Sequence, residues 1–110
     1  MTYEDIVREA KQAAERIDTS VIDQHAAIEI DVEGEGEGAF YVELDNGWAD
    51  VQPYEYYDYD CKIRTNADTL TVLLSGMLDA ASALSDGKIN VEGNIEKAIV
   101  FATALRTLND

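Results

Sequence analysis

The sequence predicts an α+β fold: a single five-stranded, mostly antiparallel sheet with helices packed on one face, in the order α-β-β-β-β-α-α-β-α. Three observations predict it. Apolar and polar residues alternate in successive short runs between Ala26 and Arg64, the period of half-buried strands. On either side of that region, apolar residues recur at helical spacing. Finally, the stretch GKINVEG, residues 87–93, sets one short alternating run between two helical segments and brackets it with glycines.

The first helix starts at Thr2, which with Asp5 makes a capping box. Tyr3, Ile6, Val7, Ala10, Ala13, Ala14 and Ile17 form its apolar face, and Glu4, Arg8, Glu9, Lys11, Glu15 and Arg16 face water. From Ala26 the period becomes two. Ile28, Ile30 and Val32 point one way, Glu29, Asp31 and Glu33 the other. EGEGEG (33–38) is a flexible turn into a second strand with Phe40, Val42 and Leu44 inward. Asn46-Gly47 is a strong hairpin signal. A two-residue loop there pairs Asp45 with Trp48, Leu44 with Ala49 and Val42 with Val51, which keeps apolar residues on one face. Pro53 ends the third strand.

The fourth strand reads Tyr57, Tyr59, Cys61 and Ile63 inward, with Asp58, Asp60, Lys62 and Arg64 outward. Thr65 with Asp68 is a second capping box. Leu70, Leu73, Leu74, Met77 and Leu78 then fall at i, i+3, i+4, i+7 and i+8. Gly76 costs about 1 kcal/mol in a helix interior and predicts a break. Asp79 caps a short helix carrying Ala80, Ala83 and Leu84, and Gly87 closes it. Ile89 and Val91 are the inward pair of the fifth strand. Asn94 caps a last helix whose apolar arc (Ile95, Ala98, Ile99, Phe101, Ala102, Leu105, Leu108) is wider than one sheet contact requires.

At 110 residues the chain has the length of one domain, taken as 1–110, and 46% hydrophobic residues place it among globular proteins. No apolar run approaches the roughly 20 residues that cross a bilayer, so stable membrane insertion is not expected. The acidic, amphipathic MTYEDIVREA is not a secretory signal, and TLND carries no peroxisomal or lipidation box. The expected location is cytoplasmic. The net charge of −15 repels nucleic acid and anionic membrane surfaces. It serves solubility or a cationic partner.

The catalytic motifs fail one by one. His25 is the sole histidine, too few for a zinc site and without a nucleophile near it in sequence. The sole cysteine, Cys61, reads as a small buried residue. Asp31, Glu33, Glu35 and Gly36 imitate a calcium loop, but Val42 stands where the pattern needs a glutamate. YEYYDYD (54–60) reads as alternating burial. Trp48 stands beyond the hairpin tip as a candidate partner contact. The chain is therefore expected not to be an enzyme, and to use no metal and no cofactor.

Residues 60–105, DCKIRTNADTLTVLLSGMLDAASALSDGKINVEGNIEKAIVFATAL, resemble the second half of the sterol carrier protein 2 domain family. The features that carry the resemblance are Asp60-Cys61, the stripe Leu70 to Leu74, Gly76, the short helix Ala80 to Leu84, and Gly87 to Asn94. The first half agrees in element order. The resemblance implies a stand-alone, prokaryotic-type member. Its function would be non-catalytic carriage of an apolar small molecule (a lipid, fatty acyl chain or sterol-like molecule) in a tunnel between sheet and helices. The positions that match and would line it are Leu70, Leu73, Leu74, Met77, Leu78, Leu84, Ile89, Val91, Ile99, Phe101 and Leu105. The alternative is an interaction or dimerisation module with a filled core and no lipid. The protein is expected as a monomer or homodimer.

Overall fold

Helix α1 (Tyr3–Arg16) opens the computed structural model, which describes residues 1–109. The Thr2 hydroxyl accepts from the Asp5 N–H at 3.1 Å, and the Asp5 carboxylate accepts from the Thr2 N–H at 3.0 Å. The predicted capping box is present. Ile6, Val7, Ala10 and Ala13 are buried on the sheet side.

The sheet follows as β1 (Ala26–Glu33), β2 (Gly38–Asp45), β3 (Trp48–Gln52) and β4 (Cys61–Asn66). Helices α2 (Ala67–Leu74) and α3 (Ala80–Ser85) precede β5 (Ile89–Gly93), and α4 (Ile95–Arg106) closes the chain. The strand order is β3-β2-β1-β4-β5. The hairpin has the predicted register, with Asp45 opposite Trp48, Leu44 opposite Ala49 and Val42 opposite Val51. The central pair, β1 with β4, is parallel and the other pairings are antiparallel. β5 completes the sheet as an edge strand beside β4, after the chain has crossed the helical layer.

Asp60 joins the two halves of the chain. Its N–H donates to the Ala27 carbonyl at 2.8 Å, and its carboxylate accepts from the Ala27 N–H at 2.8 Å. Its own carbonyl accepts from the Asn94 N–H at 2.8 Å. Gly93 sits at φ +94°, and a Cβ there would lie 2.6 Å from that same carbonyl oxygen. Thus the turn from β5 into α4 must be glycine to reach Asp60. Asn94 then caps α4 by accepting from the Glu96 N–H at 3.0 Å.

The inner face of the sheet supplies Ile28, Ile30, Phe40, Val42, Leu44, Val51, Cys61 and Ile63 to the core. Leu70, Leu73 and Leu74 of α2 and Phe101, Ala104 and Leu105 of α4 complete it. Each large side chain so buried contributes about 1.5–3 kcal/mol. Among the described residues no helix is long and apolar enough to cross a membrane.

Three local expectations are corrected. The tyrosines of YEYYDYD are not inward strand residues: Tyr57 is 96% exposed, and β4 starts only at Cys61. Residues 53–60 instead cross the outer face of the sheet. There Tyr56 stands edge-on to Tyr41, with ring centroids 5.0 Å apart. The cap of α2 is Asn66, which accepts from the Thr69 N–H at 2.8 Å. Thr65 is a buried strand residue whose hydroxyl donates to the Lys88 carbonyl at 2.8 Å. The leucine stripe is helical only to Leu74, since the break expected at Gly76 is present and leaves Met77 and Leu78 outside the helix. Gly76 at φ +78° ends the helix in a Schellman turn, with the Gly76 N–H on the Leu73 carbonyl and the Met77 N–H on that of Val72. Met77 is left 70% exposed.

Gly87, at φ +75°, closes α3 in the same way, but a Cβ there meets open space, whereas one on Gly76 would lie 2.4 Å from the Leu105 carbonyl oxygen. Gly87→Ala is expected to cost about 1 kcal/mol from the left-handed backbone alone. Gly76→Ala adds overpacking between α2 and α4 and is expected to cost about 3 kcal/mol. Urea unfolding of the two variants checks this, and equal losses would contradict it.

Candidate functional site

The wide apolar arc of α4 divides between two tasks. Phe101, Ala104 and Leu105 are buried in the core. Ile95, Ala98, Ile99 and Ala102, at i, i+3, i+4 and i+7, form one wall of a cleft. The opposite wall is α3, through Ala80, Ala81 and Leu84. Ile89 and Val91 of β5 supply the side of the cleft, and Ile63, Leu73 and Phe101 its floor. This cavity measures about 160 Å³, and every side chain lining it is hydrocarbon.

A second depression of about 310 Å³ shares Leu73, Ala80, Ala81, Ile99 and Ala102 with the first. Gly76, Leu78, Asp79, Leu105 and Arg106 complete its lining. Alanines make up much of the walls: Ala80, Ala81 and Ala102 line both depressions, and Ala98 lines the first. α3 is held lightly. It has six residues, of which Ala83 alone is buried, and its start is fixed by Asp79, which accepts from the Ala81 and Ser82 N–H groups.

The residues expected to line a site from the resemblance fall into groups. Leu73, Leu84, Ile89, Val91, Ile99 and Phe101 line the first cavity. Leu78 and Leu105 line the second depression. Leu70 lies fully buried beneath, and Leu74 points to the α1 side of α2, against a gap shared with Ala10 and Val42. Met77, on the link between α2 and α3, lines neither depression. Sequence reasoning did not include Ile63, Ala80, Ala81, Ile95, Ala98 and Ala102 among the lining. Alanine on two facing helices was the available signal, because a small residue at an inward position marks space.

A set of paired ionisable groups lies on the other side of the sheet. Lys62 lies 3.4 Å from Glu29 and 3.7 Å from Asp31. Arg64 lies 3.5 Å from Glu33 and 3.3 Å from Glu92. His25 Nε2 is 2.8 Å from the Glu43 carboxylate, which also accepts from the Tyr56 hydroxyl at 3.2 Å. Under the 53–60 crossing Glu29 is only 6% exposed, and one of its oxygens accepts from the Tyr56 N–H at 3.1 Å. Burial raises its carboxyl above the ordinary value, and contact with the Asp31 carboxylate raises it further, against the Tyr56 N–H and Lys62. Cys61 is fully buried on the inner face, and burial pushes its thiol up to about 11, so it is not a nucleophile at neutral pH. Among the described residues no group of His, Cys, Asp and Glu side chains is placed to hold a metal ion.

The sequence profile of the SCP-2 sterol transfer family matches residues 7–106. No curated protein matches the sequence. Among solved structures, the palmitated sterol carrier protein 2-like 2 protein of Aedes aegypti superposes with a TM-score of 0.70 at 17% identity, covering 96% of this chain and 95% of that one. Sterol carrier protein 2 of Yarrowia lipolytica, in its apo form, gives 0.57 at 26% identity, covering 84% and 79%. The sec-alkylsulfatase Pisa1 of Pseudomonas sp. gives 0.73 at 19% identity over 84% of this chain. That match spans only 15% of the alkylsulfatase.

A carboxyl raised in the folded chain binds its proton more tightly there than in the unfolded chain. Its contribution to stability is fully present below the ordinary value of 4.5 and is lost as pH rises through the folded value. The contribution of Glu29 is therefore expected to be lost as pH rises from the ordinary carboxylate range, so that the stability of the parent chain relative to Glu29→Gln falls over that range. Chemical unfolding of both proteins across that range tests it; parallel profiles would contradict it.

Proposed function

The chain belongs to the SCP-2 sterol transfer family, and from that membership we propose that it binds and carries an apolar small molecule without catalysing a reaction on it. The ligand occupies the cleft between α3, α4 and β5. The observation that carries this reading is the cavity of about 160 Å³ lined by hydrocarbon alone, with a second depression beside it. Leu73, Leu84, Ile89, Val91, Ile99 and Phe101 would contact the ligand first, joined by Ala98 and Ile95. Leu78 and Leu105 would meet the part that enters the second depression. A family fold that in the Aedes aegypti protein was solved palmitated supports the same ligand chemistry.

The first cavity alone is smaller than the roughly 300–1,000 Å³ of typical ligand sites. A lipid chain would therefore extend into the second depression or displace α3 outward. α3 suits that movement, since one buried alanine and its caps hold it in place. Each methylene taken from water contributes about 0.8 kcal/mol, set against several kcal/mol of lost translational and rotational freedom. A chain of about ten methylenes then binds reversibly, as a carrier requires.

The ion pairs of Lys62 and Arg64 lie across the sheet from this cleft, Asp79 in the second depression is engaged in capping α3, and Cys61 is buried with a raised thiol. Those placements support the non-catalytic reading. A second reading has its own observation. Ile95 is 45% and Ile99 58% exposed at the cavity rim, which suits contact between two copies.

Native mass spectrometry of the purified protein, followed by solvent extraction, separates the two. About one lipid per chain is expected, and Ala98→Trp, which fills the cleft, is expected to lose the lipid while keeping its unfolding midpoint within a few degrees. A lipid-free dimer, or a variant that retains the lipid, would overturn the carrier reading.

A further inference from the structure

The two depressions adjoin along α4, and that helix orders their lining. Ile95 and Ala98 line the first alone, Ile99 and Ala102 line both, and Leu105 and Arg106 line the second alone. From Ile95 to Arg106 the helix rises about 16 Å. The two ends of this path differ chemically. At the Ile95 end every lining side chain is hydrocarbon, so a charged head there would lose its water without gaining a partner. At the Arg106 end two charged side chains, Asp79 and Arg106, enter the lining. An amphiphile therefore fits in one direction, tail toward Ile95 and head toward Arg106.

The two charges are not equally available. One Asp79 oxygen accepts from the Ala81 and Ser82 N–H groups at 3.1 and 3.3 Å, and the other accepts from the Ser82 hydroxyl at 3.0 Å. The bonds to Ser82 lead in holding that carboxyl below its ordinary value, and the charge of Arg106 contributes last. Arg106 is exposed, and among the described residues its guanidinium forms no ion pair. Lys88 precedes Ile89 of the first cavity but lines neither depression.

Resting on the carrier reading above, we propose that Arg106 receives the head of the ligand, so that the cleft selects a lipid ending in a carboxylate and holds it with the tail directed toward β5. The planar guanidinium offers paired donors that match both oxygens of a carboxylate. The net charge of −15 opposes an anion at long range. That field is screened over about 8 Å at physiological salt, whereas contact with Arg106 is screened much less.

The test is displacement of a neutral fluorescent probe, N-phenyl-1-naphthylamine, from the full chain by dodecanoate and by 1-dodecanol, near neutral pH and below micelle formation. The parent is compared with Arg106→Gln, Arg106→Lys and Lys88→Gln. The dodecanol value reports whether a substitution disturbs the cleft, and the ratio of the two ligands reports the head contact. In Arg106→Gln dodecanoate is expected to weaken about fivefold relative to dodecanol, the scale of one exposed ion pair with paired hydrogen bonds. Arg106→Lys keeps the charge without the fork and is expected to retain part of the preference. Lys88→Gln is expected to leave the ratio at the parent value. A ratio unchanged in Arg106→Gln, or one lost instead in Lys88→Gln, would overturn this inference and leave the carrier reading in place. A probe that never binds would overturn both.

Discussion

Asp60 is the node on which the arrangement depends. Through one residue the chain fixes the parallel pairing of β1 with β4 and the turn from β5 into α4. Its backbone N–H and its carboxylate both engage Ala27, and its carbonyl takes the Asn94 N–H. The N-terminal β-meander and the C-terminal helical half meet at that pairing. Gly93 allows the turn to approach Asp60 because it has no Cβ to strike the carbonyl oxygen. This gives a physical reason for the features that carry the family resemblance. The Asp-Cys pair and the Gly-Asn turn lie far apart in sequence but are two sides of one contact, with Cys61 filling the adjacent core position.

From that contact the site follows. Setting β5 at the sheet edge brings α4 out across the end of the core, so its broad apolar arc reaches beyond what the sheet can cover. The surplus (Ile95, Ala98, Ile99 and Ala102) faces a short helix of small residues instead of a filled layer. A space bounded by alanines is then left open, with hydrocarbon on all sides. The sheet separates it from the charged outer face, where Lys62 and Arg64 are shared among carboxylates. The first cavity is thus lined by hydrocarbon alone, while the outer face of the sheet carries paired charges.

Much of this architecture was legible in the sequence. The Asn46-Gly47 turn and the alternation around it fix the hairpin register, and Thr2, Asp79 and Asn94 cap the helices they were expected to cap. The errors have physical causes. Alternating tyrosine and acid at 56–60 imitates a strand, yet these residues cross over the sheet because β4 must return beside β1 rather than beside β3. Thr65 and Asn66 are both capable caps, and the strand claims Thr65 because its side chain must point inward opposite Ile89. Met77 keeps helical spacing with Leu70 and Leu73, but the left-handed turn at Gly76 rotates it into solvent. The bulky apolar residues of α2, β5 and α4 could be read from apolar periodicity. The emptiness between them could not, because it depends on where α3 stands and on alanines whose inward direction is a tertiary fact.

The most direct measurement of the central claim is a methyl-resolved NMR titration of the intact chain with a long-chain neutral lipid. Perturbations are expected to concentrate on Leu84, Ile89, Val91, Ile95 and Ile99, the methyl groups that line the cleft, and to leave Val21 and Val51 unmoved. Saturable shifts confined to that set would place the ligand between α3, α4 and β5. Shifts centred on the outer face or on α1, or a spectrum unchanged by any neutral lipid, would contradict the account.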